Sequence, residues 1–317
     1  MSKILMGALL ALGGTATACI AGAKTLFNRT IPRQDTLRVD ISEMADMSKW
    51  EEYRKFMIPN REWLETQNLE HVTITARDGI ELHANYFPAE NQSNKLVICN
   101  HGYTGRGMKD CASIAVFFHR IGFDCLIVDH RGHGDSEGKY IGFGILDRFD
   151  CLRWIQYVNN RFGNSKQIVL YGVSMGATTA LMTTGFPETE NSVKAVIADC
   201  AFTSPYDVFA HILKRDYHLP PFPIMDINDA ICRKKAGYGF SDYSTLYAVQ
   251  NTNIPILFIH GAEDNFVPVY MSRLNYNECN SEKDLMIVEN AGHGAAYYED
   301  VPAYEEKIMS FMKQYLD

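Results

Sequence analysis

The chain has 317 residues, 46% of them hydrophobic and 21% charged, with a formal net charge of −8. That composition supports one large folded domain or two small ones and argues against a disordered chain. An acidic chain without runs of Lys and Arg also argues against nucleic acid as a partner, because phosphate binding needs grouped cations.

The first feature is an apolar stretch over residues 4–23, between Lys3 and Lys24. Three readings stay open. It could be a signal peptide, since Ala16-Thr-Ala18 offers a small-residue cleavage pattern and Cys19 follows it. It could be an uncleaved membrane anchor, because about 20 apolar residues just span a bilayer. It could also be a buried helix. Gly13, Gly14, Thr15 and Thr17 weaken the hydropathy, and Lys24, Arg29 and Arg33 outnumber Lys3 on the flanks. The positive-inside tendency does not settle the orientation. Membrane association, anchored or exported, is the favoured expectation, with the side of the membrane and a cytoplasmic location left open. The organisation expected is therefore a signal peptide or anchor over 1–24, a peripheral helical segment over 25–68 and an α/β domain over 69–317.

From Leu69 the pattern changes. Leu69–Thr75 and Ile80–Tyr86 alternate with period two around Asp78-Gly79, which predicts a β-hairpin. Short apolar runs follow at Lys95–Cys99, Asp124–Asp129, Gln167–Gly172, Val193–Asp199, Pro255–His260 and Asp284–Glu289. Continuous runs of this length fit strands buried on both faces. Helical stretches between them predict right-handed crossovers and a mostly parallel sheet of about eight strands. Between Asp199 and Pro255 no strand is predicted. This insert, about residues 202–250, carries four prolines and the aromatics Phe202, Tyr206, Phe209, Tyr217 and Phe222. It is expected to be a small helical cap, since long connections in compact domains usually carry function. None of the eight cysteines forms a Cys-x-x-Cys pair, so a zinc ribbon or redox motif is not expected. Several lie in apolar runs, as buried free thiols do.

Gly172-Val-Ser174-Met-Gly176 carries the chemistry. It follows the predicted strand Gln167–Tyr171 and precedes a helix-forming run from Met175 to Met182. In that strand–turn–helix setting the serine is held strained with its hydroxyl presented, and a Cβ at either glycine would meet backbone. A serine hydroxyl needs a base. His293, between Gly292 and Gly294 past the last predicted strand, is the best placed. The base needs a carboxylate to orient it. Asp264, in Phe258-Ile-His-Gly-Ala-Glu-Asp264, is preferred to Asp199, which ends the preceding strand; Glu263 and Glu289 are weaker alternatives. Two N–H donors must meet the developing oxyanion. The backbone of Met175 is one candidate and that of Tyr103, in the loop His101-Gly-Tyr-Thr-Gly105, is the other. The ring of Tyr103, with Phe202 and Tyr206, is expected to wall a substrate pocket. His130-x-x-His133 has no third ligand at useful spacing, so no metal is expected, and the chemistry requires no cofactor.

With these residues in place the chain resembles the α/β-hydrolase superfamily over about residues 69–317. It is similar to a bacterial serine esterase and lysophospholipase-like branch that often has an N-terminal hydrophobic segment. His101–Gly105, Asp129-His-Arg-Gly-His-Gly-Asp-Ser136, Gly172–Gly176, His260-Gly-Ala-Glu-Asp264 and Gly292-His-Gly294 occur in the family's order. The resemblance implies an α/β-hydrolase fold, an eight-stranded sheet with a cap after the sixth strand, and a catalytic Ser174–Asp264–His293 set. The expected function is hydrolysis of small-molecule carboxylic acyl esters through an acyl-enzyme. Peptide or amide cleavage, thioester hydrolysis or acyl transfer on the same fold, and a non-catalytic binding role, stay as alternatives. Nothing in the sequence sets the oligomeric state.

Overall fold

The computed structural model describes residues 3–34 and 47–317. Eight strands form one sheet: β1 (Glu70–Thr75), β2 (Glu81–Phe87), β3 (Lys95–Asn100), β4 (Asp124–Val128), β5 (Gln167–Val173), β6 (Val193–Asp199), β7 (Ile256–Gly261) and β8 (Lys283–Val288). Their order across the sheet is β1-β2-β4-β3-β5-β6-β7-β8. The predicted hairpin is β1–β2, and β2 pairs antiparallel with β4. All remaining pairings are parallel.

Alternation along the central strands explains the two layers. Val97, Cys99, Val169 and Tyr171 face a cluster with Phe117, Phe118, Tyr304 and Phe311. Their neighbours Leu96, Ile98, Ile168 and Leu170 face the opposite cluster, with Trp154, Val158, Ala177 and Leu181. Both faces of these strands are covered, so period-two side chains read in sequence as unbroken apolar runs. The covering residues come from α4 (Ala112–Arg120) and α12 (Val301–Met312) on one face, and from α5 (Asp147–Phe162) and α6 (Met175–Thr183) on the other. All eight cysteines are free, and seven are buried.

The chain leaves β3 for β4 on one side, then returns to lay β5 on the other side of β3. That reversal opens a crevice at the carboxyl ends of β3 and β5, where open α/β sheets bind ligands. Asn100 pairs with Gly172 there, two residues before Ser174.

The insert between β6 and β7 is helical. It contains α7 (Pro205–Tyr217), α8 (Ile224–Ala236) and α9 (Thr245–Gln250). Ser204 starts α7 by accepting a hydrogen bond from the Asp207 N–H, and Gly237 ends α8 in the left-handed conformation. Phe143, Phe209, Phe240 and Tyr238 pack edge to face behind these helices.

At the N-terminus a single helix, α1, runs Lys3–Thr30. No helix among the described residues is long and apolar enough to cross a membrane. The last turns of α1 pack along α8. Ala23, Phe27 and Ile31 are buried there, in the cluster that also holds Met175 and Met225. Of the peripheral segment, α2 (Met47–Glu65) is helical as read, and residues 35–46 lie outside the described residues.

Candidate active site

Ser174 sits between β5 and α6 with φ 55° and ψ −117°. A side-chain-bearing residue there costs about 1–3 kcal/mol unless its surroundings over-determine it. They do. Its N–H donates to Asp199 O at 2.8 Å, and its carbonyl accepts from the Thr178 N–H at 3.0 Å. The flanking glycines let the turn close. A Cβ on Gly172 would lie 2.3 Å from the carbonyl carbon and oxygen of Gly176, and one on Gly176 would lie 2.1 Å from Asn100 O. Both obstacles are backbone and cannot rotate away. Gly176→Ala is therefore expected to lower the unfolding free energy by about 2–3 kcal/mol or more, read from urea denaturation. An unchanged midpoint would show that the close approach is not needed.

The structure brings His293 and Asp264 to this serine. His293 Nε2 lies 2.9 Å from Ser174 Oγ, and His293 Nδ1 lies 2.7 Å from Asp264 Oδ2. A carboxylate on Nδ1 requires the proton on that nitrogen, which leaves Nε2 free to accept from the hydroxyl. The other carboxylate oxygen, Asp264 Oδ1, accepts the N–H groups of Phe266 and Val267, both at 2.9 Å. Burial opposes ionisation of Asp264, but the charge and hydrogen bonds of His293 and His260 outweigh it and hold the carboxyl well below the usual carboxylate range. Asp199 occupies another position. Its Oδ2 accepts from the Tyr304 hydroxyl at 2.8 Å, and its Oδ1 has no hydrogen-bond partner. Burial raises its pKa. Glu263 and Glu289 are exposed and make no hydrogen bond to His293.

His260 is a participant that sequence reasoning left as part of a motif. It is fully buried, with Nε2 2.8 Å from Val267 O and 3.2 Å from Asp264 Oδ2. Both neighbours accept, so Nε2 carries a proton. Nδ1 meets Ser272 Oγ at 2.6 Å. His260 thus meets the same carboxylate oxygen that His293 contacts. Its signal in the sequence was its place at the end of a strand, four residues before Asp264. His260→Gln is expected to lower kcat by about 10- to 100-fold with little change in KM, since a small misplacement of a positioned group has that effect. Steady-state kinetics on a hydrolysable substrate would check it, and an unaltered kcat would make His260 a packing residue only.

The loop after β3 comes close to the serine. A Cβ on Gly102 would lie 3.6 Å from Ser174 Cβ. The N–H groups of Tyr103 and Met175 donate to no other group among the described residues. Two neutral imidazoles pin this loop. His101 Nδ1 donates to Gly102 O at 2.7 Å, and His101 Nε2 accepts the His130 N–H at 3.0 Å. His133 Nδ1 donates to Arg131 O, and His133 Nε2 accepts the Thr104 N–H. Burial pushes the pKa values of His130 and His133 down to about 3 and that of His101 well below its usual range. These histidines act as hydrogen-bonding struts. Arg131, paired with Asp150 at 2.6 Å and Asp78 at 2.8 Å, anchors the same turn.

Phe202 belongs to the same apolar cluster as Met175, and Tyr103 and Tyr206 pack against it. The Tyr103 ring lies 5.0 Å from that of Phe143, and its hydroxyl donates to Thr30 O at 3.0 Å. The end of α1 therefore holds the Tyr103 side chain. Cys200, Asp264 and His293 place ligand-type atoms within 4.8 Å of one another. Burial drives the Cys200 thiol well above its usual range, so it is protonated and a poor metal ligand.

Comparisons with known proteins agree with this architecture. Residues 95–223 match the family described by the α/β hydrolase fold. An uncharacterized protein of Bacillus subtilis, YqkD, is 27% identical over 98% of this chain and 97% of its own length. Among solved structures, the esterase Pf2001 of Pyrococcus furiosus is 21% identical with a TM-score of 0.63, covering 78% of this chain and 93% of that one. Est1E of Butyrivibrio proteoclasticus, solved with ferulic acid bound, is 20% identical with a TM-score of 0.61, covering 76% and 99%. Sheet order, serine turn and matched profile lead to one conclusion: the chain has the α/β-hydrolase fold.

Proposed function

We propose that the protein is a serine hydrolase that cleaves small-molecule carboxylic acyl esters, with residues 69–317 as its catalytic domain. One observation carries the reading: Ser174, His293 and Asp264 form a continuous hydrogen-bonded chain at the carboxyl edge of the sheet. Ser174 Oγ attacks the ester carbonyl while His293 Nε2 takes the hydroxyl proton. The N–H groups of Tyr103 and Met175 receive the oxyanion. As the tetrahedral intermediate collapses, His293 returns the proton to the leaving alkoxide. Water, activated by the same imidazole, then attacks the acyl-enzyme, and Ser174 leaves with its proton restored. Asp264 stabilises the imidazolium in both halves.

In this reading the insert caps the site, and Tyr103, Phe202 and Tyr206 contact an apolar acyl or aryl group. The likeness to Pf2001 and Est1E supports an ester rather than a peptide as the first substrate to try. The test is fluorophosphonate labelling of the wild-type protein beside p-nitrophenyl esters of increasing chain length. Labelling with turnover that peaks at one length is expected. Labelling without turnover would move the substrate to peptides, thioesters or an acyl acceptor other than water. No labelling would overturn the reading in favour of a binding protein.

A further inference from the structure

The loop after β7 touches both partners of the serine through one residue. The Phe266 N–H donates to Asp264 Oδ1 at 2.9 Å, and the Phe266 ring meets the His293 ring edge to face, with centroids 5.0 Å apart. Phe266 thus contacts the acid through its backbone and the base through its side chain. Its neighbour Asn265 is exposed at the apex of the loop. The Asn265 carbonyl accepts from two side chains of the cap helix α7. His211 Nε2 donates to it at 3.1 Å, and so does an Nη1–H of Arg215. No other hydrogen bond to the Asn265 backbone forms among the described residues.

Arg215 is built for this contact. Its Nε–H and Nη2–H groups donate to the Asp216 carboxylate, which leaves Nη1 to reach Asn265. The centre of the guanidinium lies over the Phe266 ring, 5.5 Å from its centroid. One side chain of the cap therefore holds the loop apex through a hydrogen bond and the Phe266 ring through its charge. The same helix carries Phe209, buried in the cluster with Met175 and Phe202, and Tyr206, packed against that cluster.

We propose that Arg215, assisted by His211, is a positioning residue that sets the geometry of the Asp264–His293 pair from the cap, through the Asn265 carbonyl and the Phe266 ring. This role rests on the serine-hydrolase reading and gives the cap a part in the chemical step. Neither side chain contacts Ser174 or His293 directly among the described residues. Misplacing a catalytic group by about 1 Å costs up to about 100-fold in rate. Arg215 acts at one remove and shares the carbonyl with His211, so its loss should lower kcat by about 10-fold.

The variant R215M keeps an apolar stem and removes every donor. Two esters separate positioning of the base from shaping of the pocket: p-nitrophenyl acetate, too short to need the cap, and p-nitrophenyl octanoate. R215M should lower kcat by the same factor on both, with little change in KM, and should slow labelling by a short-chain fluorophosphonate equally. R215K keeps a donor for Asn265 and should recover part of the loss. F266A should be impaired as well, and R215M/F266A should be scarcely worse than F266A, because both changes act on one path. Unchanged kcat on the acetate with a raised KM for the octanoate would make Arg215 a pocket residue and overturn the proposal, as would full additivity of R215M and F266A. Should R215M fold poorly, H211A removes the other donor and should show the same split at smaller amplitude; an unaltered kcat there would count against the proposal. If the protein labels but turns over no ester, the labelling rate decides, and equal rates for wild type and R215M would overturn it. If the wild type does not label, the serine-hydrolase reading falls. The positioning role is then read from the downfield proton line of His293 Nδ1–H, which is bonded to Asp264. That line should move or broaden in R215M, and an identical line would overturn the positioning role too.

Discussion

Ser174→Ala should lower ester turnover by about 10⁴- to 10⁶-fold and abolish fluorophosphonate labelling, while the fold survives. The loss is large because the three residues act as a unit. Without Oγ, the base has nothing to activate, and only binding and the N–H donors of Tyr103 and Met175 remain. The fold should survive because Ser174 makes its structural hydrogen bonds through its backbone, to Asp199 O and from the Thr178 N–H. Alanine keeps both. Turnover and urea unfolding measured on one preparation separate the two effects. A variant that keeps more than about a tenth of the activity would remove Ser174 as nucleophile.

The second large effect separates two buried acids. Asp264→Asn should lower kcat by about 10⁴-fold. Its amide would present N–H toward His293 Nδ1, force the proton onto Nε2 and so remove the base that faces Ser174. Asp199→Asn should stay within about 10-fold of wild type. Its side chain accepts one hydrogen bond, from Tyr304, and an amide oxygen can accept it equally well. The reverse pattern would transfer the role to Asp199. Stability gives a second readout. The folded pKa of Asp264 is depressed, so its contribution is present above the unfolded carboxylate pKa of about 3.9 and is lost as pH falls through the lower folded value. Asp264→Asn should therefore destabilise the protein at pH 7 and approach the wild type only in strong acid.

Much of this site was legible in the sequence because its physics is local. Gly172 and Gly176 mark a turn that admits no Cβ, and the runs around Val97, Val169 and Ile197 mark strands covered on both faces. The choice between Asp264 and Asp199 was less local. Both close a parallel strand, and the pairing of Asp199 with Val173 puts it next to the serine turn in register. What distinguishes them is the set of donors that converge on Asp264: Phe266, Val267, His260 and His293. His260 was in view as part of a motif, but its grip on the acid depends on how the loop from Gly261 to Val267 folds back over the strand.

By itself, then, the sequence determined the sheet and the serine turn, because each follows from short-range sterics and periodicity. Tertiary structure alone decided two things. An apolar stretch before Lys24 carries the same signal whether its partner is lipid or protein, and only the packing of Ala23 and Phe27 along α8 shows that the end of that helix is covered by protein. The placement of Arg33 is the second. It lies about a hundred residues from Gly134 and Ser136 in sequence, yet its guanidinium donates to the carbonyls of both. Such a placement depends on long-range contacts, and sequence spacing carries no record of those.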